Sequence, residues 1–358
     1  MWVIKEFLFI NIPSGGIIEA SIDQPGDTGA MEVSILPLHR VLDVRAGENL
    51  LEVFREHQIP ISYSCMAGRC GTCRCRVTSG RVLVTGSGES NAPMRTGETV
   101  LACQTTLVED CAIEIPEVDE VVVHPAKILK STVLSIEDLT HDIKRLRLGL
   151  AKPLEYSPGQ YANLQFSPQH IRPYSMAATQ NDEEVEFHIR LVPGGRVTSY
   201  IANELKVGDS VRVSGPLGTA YLRRKNSAPV VCIAGGTGLA PILSILRGMA
   251  EARMANPVHV YFGVRSSIDV YGEPWLVELQ SRLPKLKFHI VVASGHDVEG
   301  CRSGLVTQAV SDDWSDMRGW SAYIAGAPVM VDAASILLRQ KGVEPGRIYA
   351  DAFYSSGV

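Results

Sequence analysis

The chain has 358 residues, 45% of them hydrophobic and 20% charged, with a formal net charge of −5. That length exceeds one ordinary domain, so two or three are expected, and the mildly acidic balance without a long basic block excludes a nucleic-acid reader. Eight cysteines are too few for a disulfide scaffold and point to a reducing, cytoplasmic setting, while no apolar run approaches the ~20 residues that span a bilayer.

Residues 1–30 read as a loosely packed or disordered extension. Phe7 to Ile12 is apolar but short, Pro13 interrupts it, and a glycine- and proline-rich stretch follows. From Met31 to Glu120 the pattern is that of a small mixed domain. Val33 and Ile35 alternate with polar residues, Val41 and Val44 suggest a returning strand, and Asn49 to Glu56 fits a helix. Next come Cys65, Cys70 and Cys73, four and then two residues between them, with Cys103 after 29 more. Plant-type 2Fe–2S clusters use this spacing, four thiolates holding two irons. Gly68 and Gly71 let the loop backbone wrap closely around such a cluster. A zinc site, the main rival, usually brings two separated C-x2-C pairs, and only one is present. After Cys73 the residues alternate, so Cys75 shares a face with Val77 while Arg74 and Arg76 point the other way. Cys75 and Cys111 are read as buried packing residues. The acidic run from Glu114 to Glu120 reads as a solvated face leading to a linker at 121–126.

From 127 to 226 the texture is of short strands and turns: Lys130 to Ile136, Ile143 to Leu148, Gln160 to Phe166, Glu184 to Val192 and Ser210 to Val213. An antiparallel β-barrel is expected. Within it, Arg172-Pro173-Tyr174-Ser175 can serve three parts of one flavin. The guanidinium can pair with pyrophosphate, the phenol can stack on the ring, and the hydroxyl can reach N5. Pro193-Gly194-Gly195-Arg196 reads as a turn opening a helix, which offers N–H groups to phosphate. His188 and Arg190 share the polar face of the intervening strand and could flank the same cofactor; the competing reading is a solvated face.

At Val230 to Ala234 a continuous apolar strand of the buried parallel kind begins. Gly235-Gly236-Thr237-Gly238-Leu239-Ala240-Pro241 follows, then a helical pattern from Ile242. Pro241 stands where a Rossmann fingerprint would have its last glycine, yet proline suits a first helical turn, and the strand–turn–helix unit is a dinucleotide-phosphate cradle. Further strands at Val258 to Val264, Phe288 to Ala293, Ala322 to Gly326 and Arg347 to Phe353 complete a doubly wound α/β domain over 227–358. Arg265, Ser266 and Asp269 follow the second strand, where an acid favours a free ribose 2′-hydroxyl and an arginine accommodates a 2′-phosphate. Both are present, so NADH is expected to be preferred with NADPH usable. Cys232 and Cys301 receive no role.

The order of these modules resembles the ferredoxin–NAD(P) reductase superfamily, and more narrowly the reductase components of bacterial aromatic-ring dioxygenases. The stretches Ile61 to Val77, Ser214 to Leu222 and Tyr349 to Tyr354 carry the resemblance, which covers Met31 to the end. It implies a multidomain chain: a β-grasp-like 2Fe–2S ferredoxin domain, an antiparallel β-barrel FAD domain and a doubly wound α/β NAD domain. It also implies that Arg172, Tyr174 and Ser175 bind FAD, with Gly195, Val197 and Thr198 at its pyrophosphate. Gly236, Thr237, Gly238 and Pro241 would shape the nicotinamide pocket beside Gly326 and Pro328, with Phe353 near the flavin ring. Ala325 replaces the superfamily's cysteine beside the nicotinamide, a change that bears on positioning, not on activity as such.

Electrons would pass from the nicotinamide through FAD and the cluster to a separate ferredoxin feeding an aromatic-ring oxygenase, with no side chain acting as acid, base or nucleophile. A monomer is expected. Two alternatives stay open: direct delivery to an oxygenase, either a two-component dioxygenase or a di-iron hydroxylase, and a redox sensor or carrier without turnover.

Overall fold

The computed structural model describes residues 30–61, 63, 68, 73–85, 92–94, 96–115, 124–179, 184–294 and 299–354. The expectations for 1–29, for Cys65, Cys70 and Gly71, and for most of the 116–126 stretch therefore lie outside the described residues.

The first unit contains β1 (Ala30–Leu36), β2 (Arg40–Arg45), α1 (Leu50–Glu56), β3 (Arg74–Ser79), β4 (Val82–Val84), β5 (Ala92–Met94), β6 (Thr99–Leu101), β7 (Thr105–Leu107) and β8 (Cys111–Glu114). Its main sheet runs β2-β1-β8-β3-β6, with β1 parallel to β8 and the other pairs antiparallel. The helix begins where Asn49 accepts the Leu51 and Glu52 N–H groups, a cap worth ~1 kcal/mol. Leu50, Leu51, Val53 and Phe54 then face the sheet. Alternation along β1 and β3 buries Val33, Ile35, Cys75 and Val77 in one apolar core. Burial pushes the Cys75 thiol up to about 12 and the Cys111 thiol up to about 11, so both pack as neutral thiols. Arg76 does point outward, but it pairs with Glu114. Both side chains stay exposed, so Glu114 remains on a solvated face while it answers the Arg76 charge.

The second unit is formed by β9 (Lys127–Asp138), β10 (Ile143–Leu150), β11 (Tyr161–Ser167), β12 (His170–Ser175), β13 (Glu184–Arg190), α2 (Arg196–Asn203) and β14 (Ser210–Leu217). The sheet order β12-β11-β14-β9-β10-β13 is antiparallel throughout. Its two edges meet through a bridge between Met176 and Phe187, closing the barrel. The tetrapeptide Arg172–Ser175 is itself strand, with Pro173 tolerated because β12 ends the sheet order.

The third unit comprises β15 (Val230–Gly235), α3 (Leu239–Glu251), β16 (Val258–Val264), α4 (Glu273–Arg282), β17 (Leu286–Val292), β18 (Arg302–Ser303), α5 (Val306–Asp313), β19 (Ser321–Gly326), α6 (Pro328–Gln340) and β20 (Ile348–Ala352). All strands are parallel in the order β18-β17-β16-β15-β19-β20. The chain winds outward from β15 in one direction and then restarts at β19 on its other side. A crevice for ligands opens at that reversal, beyond the carboxyl ends of β15 and β19. Separate apolar cores cover the two faces of the sheet. Among the described residues no helix is long and apolar enough to cross a membrane.

Candidate functional site

The cluster loop is tied to the first unit at Cys73 and Cys103, whose sulfurs lie 3.4 Å apart. A disulfide would bring them to about 2.05 Å. Two thiolates on one tetrahedral metal with bonds of ~2.3 Å sit roughly 3.8 Å apart, so the pair fits two ligands of one iron. Gly68 has φ +76, and a Cβ there would meet the Gln104 side chain at 3.0 Å; only glycine suits that bend. The sequence places Cys65 and Cys70 on the same loop.

The flavin residues cluster on β12, β13 and α2. Among the described residues, Arg172 makes one hydrogen bond, from Nη1 to the neighbouring Ile171 carbonyl (3.2 Å), which leaves most of its fork open to a phosphate. Tyr174 is half-buried, and burial pushes its phenol up. Ser175 donates to Asp351 Oδ2 at 2.6 Å, a contact between the barrel and the last strand of the α/β unit. Asp351 was missed by sequence reasoning; the available signal was an acid at the centre of an otherwise apolar terminal strand. Burial raises its carboxyl to about 6, against the opposing pull of the Ser175 hydrogen bond. Gly195 caps α2 without any side-chain hydrogen bond, so the first-turn N–H groups remain for an anion. A Cβ on Gly195 would lie 2.5 Å from Thr198 Oγ1. The Thr198 hydroxyl accepts from the Val192 N–H (3.2 Å) and donates toward the Val192 carbonyl (3.1 Å). It therefore shapes the turn. Val197 is buried in the barrel core and offers the site only its backbone.

His188 departs from expectation. It is 4% exposed, not on an open strand face, with Nε2 3.0 Å from Glu186 Oε1 and Nδ1 3.2 Å from the Tyr271 hydroxyl. The α/β unit covers that face of β13, and Trp275 stacks on the imidazole. Arg190 lies between the hairpin that joins β9 to β10 and the nucleotide turn. Its Nε lies 3.5 Å from Asp142, and its Nη2 would be 3.2 Å from a Cβ on Gly236.

The nucleotide turn forms at the sheet's reversal. Gly236–Gly238 is a 3-10 turn leading into α3, with Gly236 at φ +55. A Cβ on Gly238 would stand 2.0 Å from the Ala325 carbonyl oxygen, so the turn packs directly on the end of β19. Thr237 is half-buried and Pro241 buried in the first turn of α3. Gly326 adopts φ +142 and accepts the Phe353 N–H at 2.9 Å. Pro328 starts α6, and Phe353 packs partly buried against the neighbouring core. These backbone N–H groups and side-chain-free surfaces fit a dinucleotide phosphate.

Beyond β16, Ser266 and Asp269 form a capping box. Asp269 Oδ2 accepts from the Ser266 N–H and hydroxyl, while Oδ1 accepts from Arg265. Asp269 is 1% exposed and both its oxygens are engaged, which corrects its reading as a ribose ligand. Arg265 remains exposed and also pairs with Asp142 at 2.9 Å.

The three units converge. Tyr63, two residues before Cys65, lies within electrostatic reach of the Tyr161 phenol on β11, and Arg55 lies 5.5 Å from the Tyr63 ring centroid. Tyr161 is the register partner of Ser175. Tyr63 of the first unit, the flavin serine and the terminal aspartate therefore all lie around Tyr161.

A cluster loop, an anion-ready barrel and a dinucleotide crevice define an iron–sulfur flavoprotein reductase. Three families match: "2Fe-2S iron-sulfur cluster binding domain" over residues 33–108, "Oxidoreductase FAD-binding domain" over 130–221 and "Oxidoreductase NAD-binding domain" over 232–335. The chain is 56% identical over 328 residues to the ferredoxin–NAD(P)+ reductase component of the naphthalene 1,2-dioxygenase/salicylate 5-hydroxylase systems of a Ralstonia species. That alignment covers 92% of this chain and 100% of the relative. It is 52% identical, with the same coverage, to the reductase component of the Pseudomonas putida naphthalene 1,2-dioxygenase system. Among solved structures, a cytochrome P450 reductase from Amycolatopsis superposes with a TM-score of 0.66 at 33% identity, covering 90% of this chain and 98% of that one. The ferredoxin reductase of carbazole 1,9a-dioxygenase gives 0.62 at 27%, covering 91% and 99%. The chain belongs to the family of ferredoxin–NAD(P)+ reductase components of aromatic-ring dioxygenase systems, with modules for a 2Fe–2S cluster, FAD and NAD(H).

Proposed function

We propose that the chain carries electrons from NAD(P)H, through FAD and a 2Fe–2S cluster, to the ferredoxin of a naphthalene-type dioxygenase system. The observation that carries this reading is the meeting of all three units at Tyr63, Tyr161, Ser175 and Asp351. When bound, the nicotinamide supplies hydride, the flavin divides an electron pair into single electrons, and the cluster relays them. The chain's residues hold and orient these groups. Backbone N–H groups at Gly236–Gly238 and at the start of α2 take the phosphates, and Arg172 adds a fork for pyrophosphate. Asp351 takes the Ser175 hydroxyl proton in a hydrogen bond, which turns the serine lone pairs toward the flavin pocket. Cys65, Cys70, Cys73 and Cys103 hold the irons, and four thiolates suit a reducing cytoplasm.

Delivery to a ferredoxin, as opposed to an oxygenase directly, is favoured by the relative identities. The naphthalene-system reductases stand at 56% and 52%, whereas an aromatic O-demethylase reductase stands at 35% and a propane 2-monooxygenase reductase at 32%. NADH is the preferred donor with NADPH usable, because Arg265 is exposed but already answered by Asp142 and Asp269.

Cys73→Ser tests the serial route. The variant keeps FAD and its NADH-dependent reduction of ferricyanide, but loses the cluster absorbance and reduction of a ferredoxin. Equal loss of both activities in a variant that still holds FAD would refute the order.

A further inference from the structure

We propose that Tyr271 is a positioning residue for the nicotinamide nucleotide, holding the Gly236 carbonyl of the nucleotide turn with a single hydroxyl proton for which His188 competes. The inference rests on the reading of Gly236–Pro241 as the nucleotide cradle. Neither Tyr271 nor Trp275 belongs to a phosphate-binding pattern in the sequence.

The arrangement crosses the boundary between barrel and α/β unit. Glu186 and His188 project from β13, Arg145 from β10, Arg247 from α3, Tyr271 from the residue just ahead of the α4 N-cap Gly272 and Trp275 from the first turn of α4. Arg145 Nε donates to Glu186 Oε2 at 2.8 Å, and Arg247 lies 3.6 Å from Oε1. Burial opposes ionisation of Glu186, but its bond to His188 and the two arginines hold the carboxyl down at about 2. As a carboxylate it can only accept, so the proton in its 3.0 Å contact with His188 is the imidazole Nε2–H. Burial pushes His188 down, and Glu186 only partly offsets this while Arg247 and Arg145 add to it. The neutral ring then presents a lone pair at Nδ1.

Tyr271 stands 3.2 Å from that lone pair and 3.3 Å from the Gly236 carbonyl oxygen. It is 6% exposed, and burial keeps its phenol protonated. One O–H faces two acceptors. With the proton on Gly236, the carbonyl of a residue at φ +55 is fixed and the turn is set for phosphate and nicotinamide. With the proton on His188, that restraint is released. The ring itself stays clamped, edge-on to Phe262 at 5.6 Å and to His188 at 5.4 Å.

The test uses the full-length, flavin-loaded protein. Tyr271→Phe deletes the proton and keeps the ring, so KM for NADH with ferricyanide rises about three- to tenfold while kcat falls less. The calorimetric Kd for NAD+ rises in step. His188→Leu removes the competitor, leaving Glu186 to Arg145 and Arg247, so KM and Kd stay at or below those of the parent. Flavin content and thermal midpoint are recorded for both variants. A merely structural role would move the two variants in the same direction. Tyr271→Phe with the parent's KM and Kd would overturn the proposal, as would a His188→Leu variant weakened as much as Tyr271→Phe. A parent that bound no NAD+ would overturn the underlying nucleotide reading, an outcome separate from an unaltered variant beside an active parent.

Discussion

Asp351 carries a free-energy cost that pH should expose. Its carboxyl is raised from 3.8 to about 6, chiefly by burial. A tenfold change in proton affinity corresponds to about 1.4 kcal/mol, so ionising this carboxyl in the folded chain costs about 3 kcal/mol of stability at pH 7.5. The folded chain holds this proton more tightly than the unfolded chain. The associated stability is therefore fully present below about pH 4 and is lost as pH rises through about 6. Asp351→Asn keeps an oxygen that can accept from Ser175 and removes the titration. At pH 7.5 the variant should gain ~2–3 kcal/mol, which raises the midpoint of a 150–250-residue cooperative unit by roughly 4–12 °C. At pH 4.5 most of the gain should be gone. Scanning calorimetry of parent and variant at pH 4.5, 6 and 7.5 measures this directly. A gain independent of pH, or a loss at pH 7.5, would refute the argument that the buried carboxylate is the costly species.

Three further outcomes are expected. Gly238→Ala places a Cβ 2.0 Å from the Ala325 carbonyl, so the turn must move; the calorimetric Kd for NAD+ should rise at least about tenfold with FAD retained, and an unchanged Kd would remove the turn from nucleotide binding. Arg265→Ala should cost kcat/KM for NADPH more than for NADH, and equal losses would exclude Arg265 from nucleotide choice. Arg74→Glu should slow ferredoxin reduction most at low ionic strength, with flavin reduction unaltered; stopped-flow traces with the parent's rate and salt slope would place the docking surface elsewhere.

Motifs read well where chemistry is written in consecutive residues. The cysteine spacing, the helix opening at Gly195 and the strand–turn–helix at Val230–Glu251 all depend on local backbone geometry, which local sequence specifies. What escaped depends on packing between units. His188 alternates with apolar neighbours on β13 as a solvent-facing residue would, and only the arrival of α4 with Tyr271 and Trp275 buries it. Asp269 reads as an acid at the ribose position, yet the two residues beside it, Arg265 and Ser266, consume both its oxygens. Asp351 and Ser175 are 176 positions apart, and no local pattern links them. Arg76 likewise acquires Glu114 from a strand 38 residues away.

The packing between units also matches the tolerance of the two transfer steps. Hydride transfer requires reacting atoms held at ~3–3.5 Å and aligned, so the flavin and nucleotide cradles cannot drift independently. They are bound accordingly: Ile143 and Leu222 of the barrel region lie within the same apolar cluster as α3 and the nucleotide sheet. In addition, Ser244 donates to the Ala178 carbonyl at 2.6 Å and Arg247 to the Ala177 carbonyl at 2.8 Å. A Cβ on Gly248 would strike Pro158 at 2.5 Å, so α3 lies tight against the loop ahead of β11. Single-electron transfer tolerates a longer gap and makes no demand on orbital alignment at that scale. The apolar core of the first unit, by contrast, draws only on its own residues between Met31 and Ile115, with Tyr63 within electrostatic reach of Tyr161 on the barrel. A shared core where a hydride must pass, and a separate core where electrons pass singly, is the arrangement these two chemistries require.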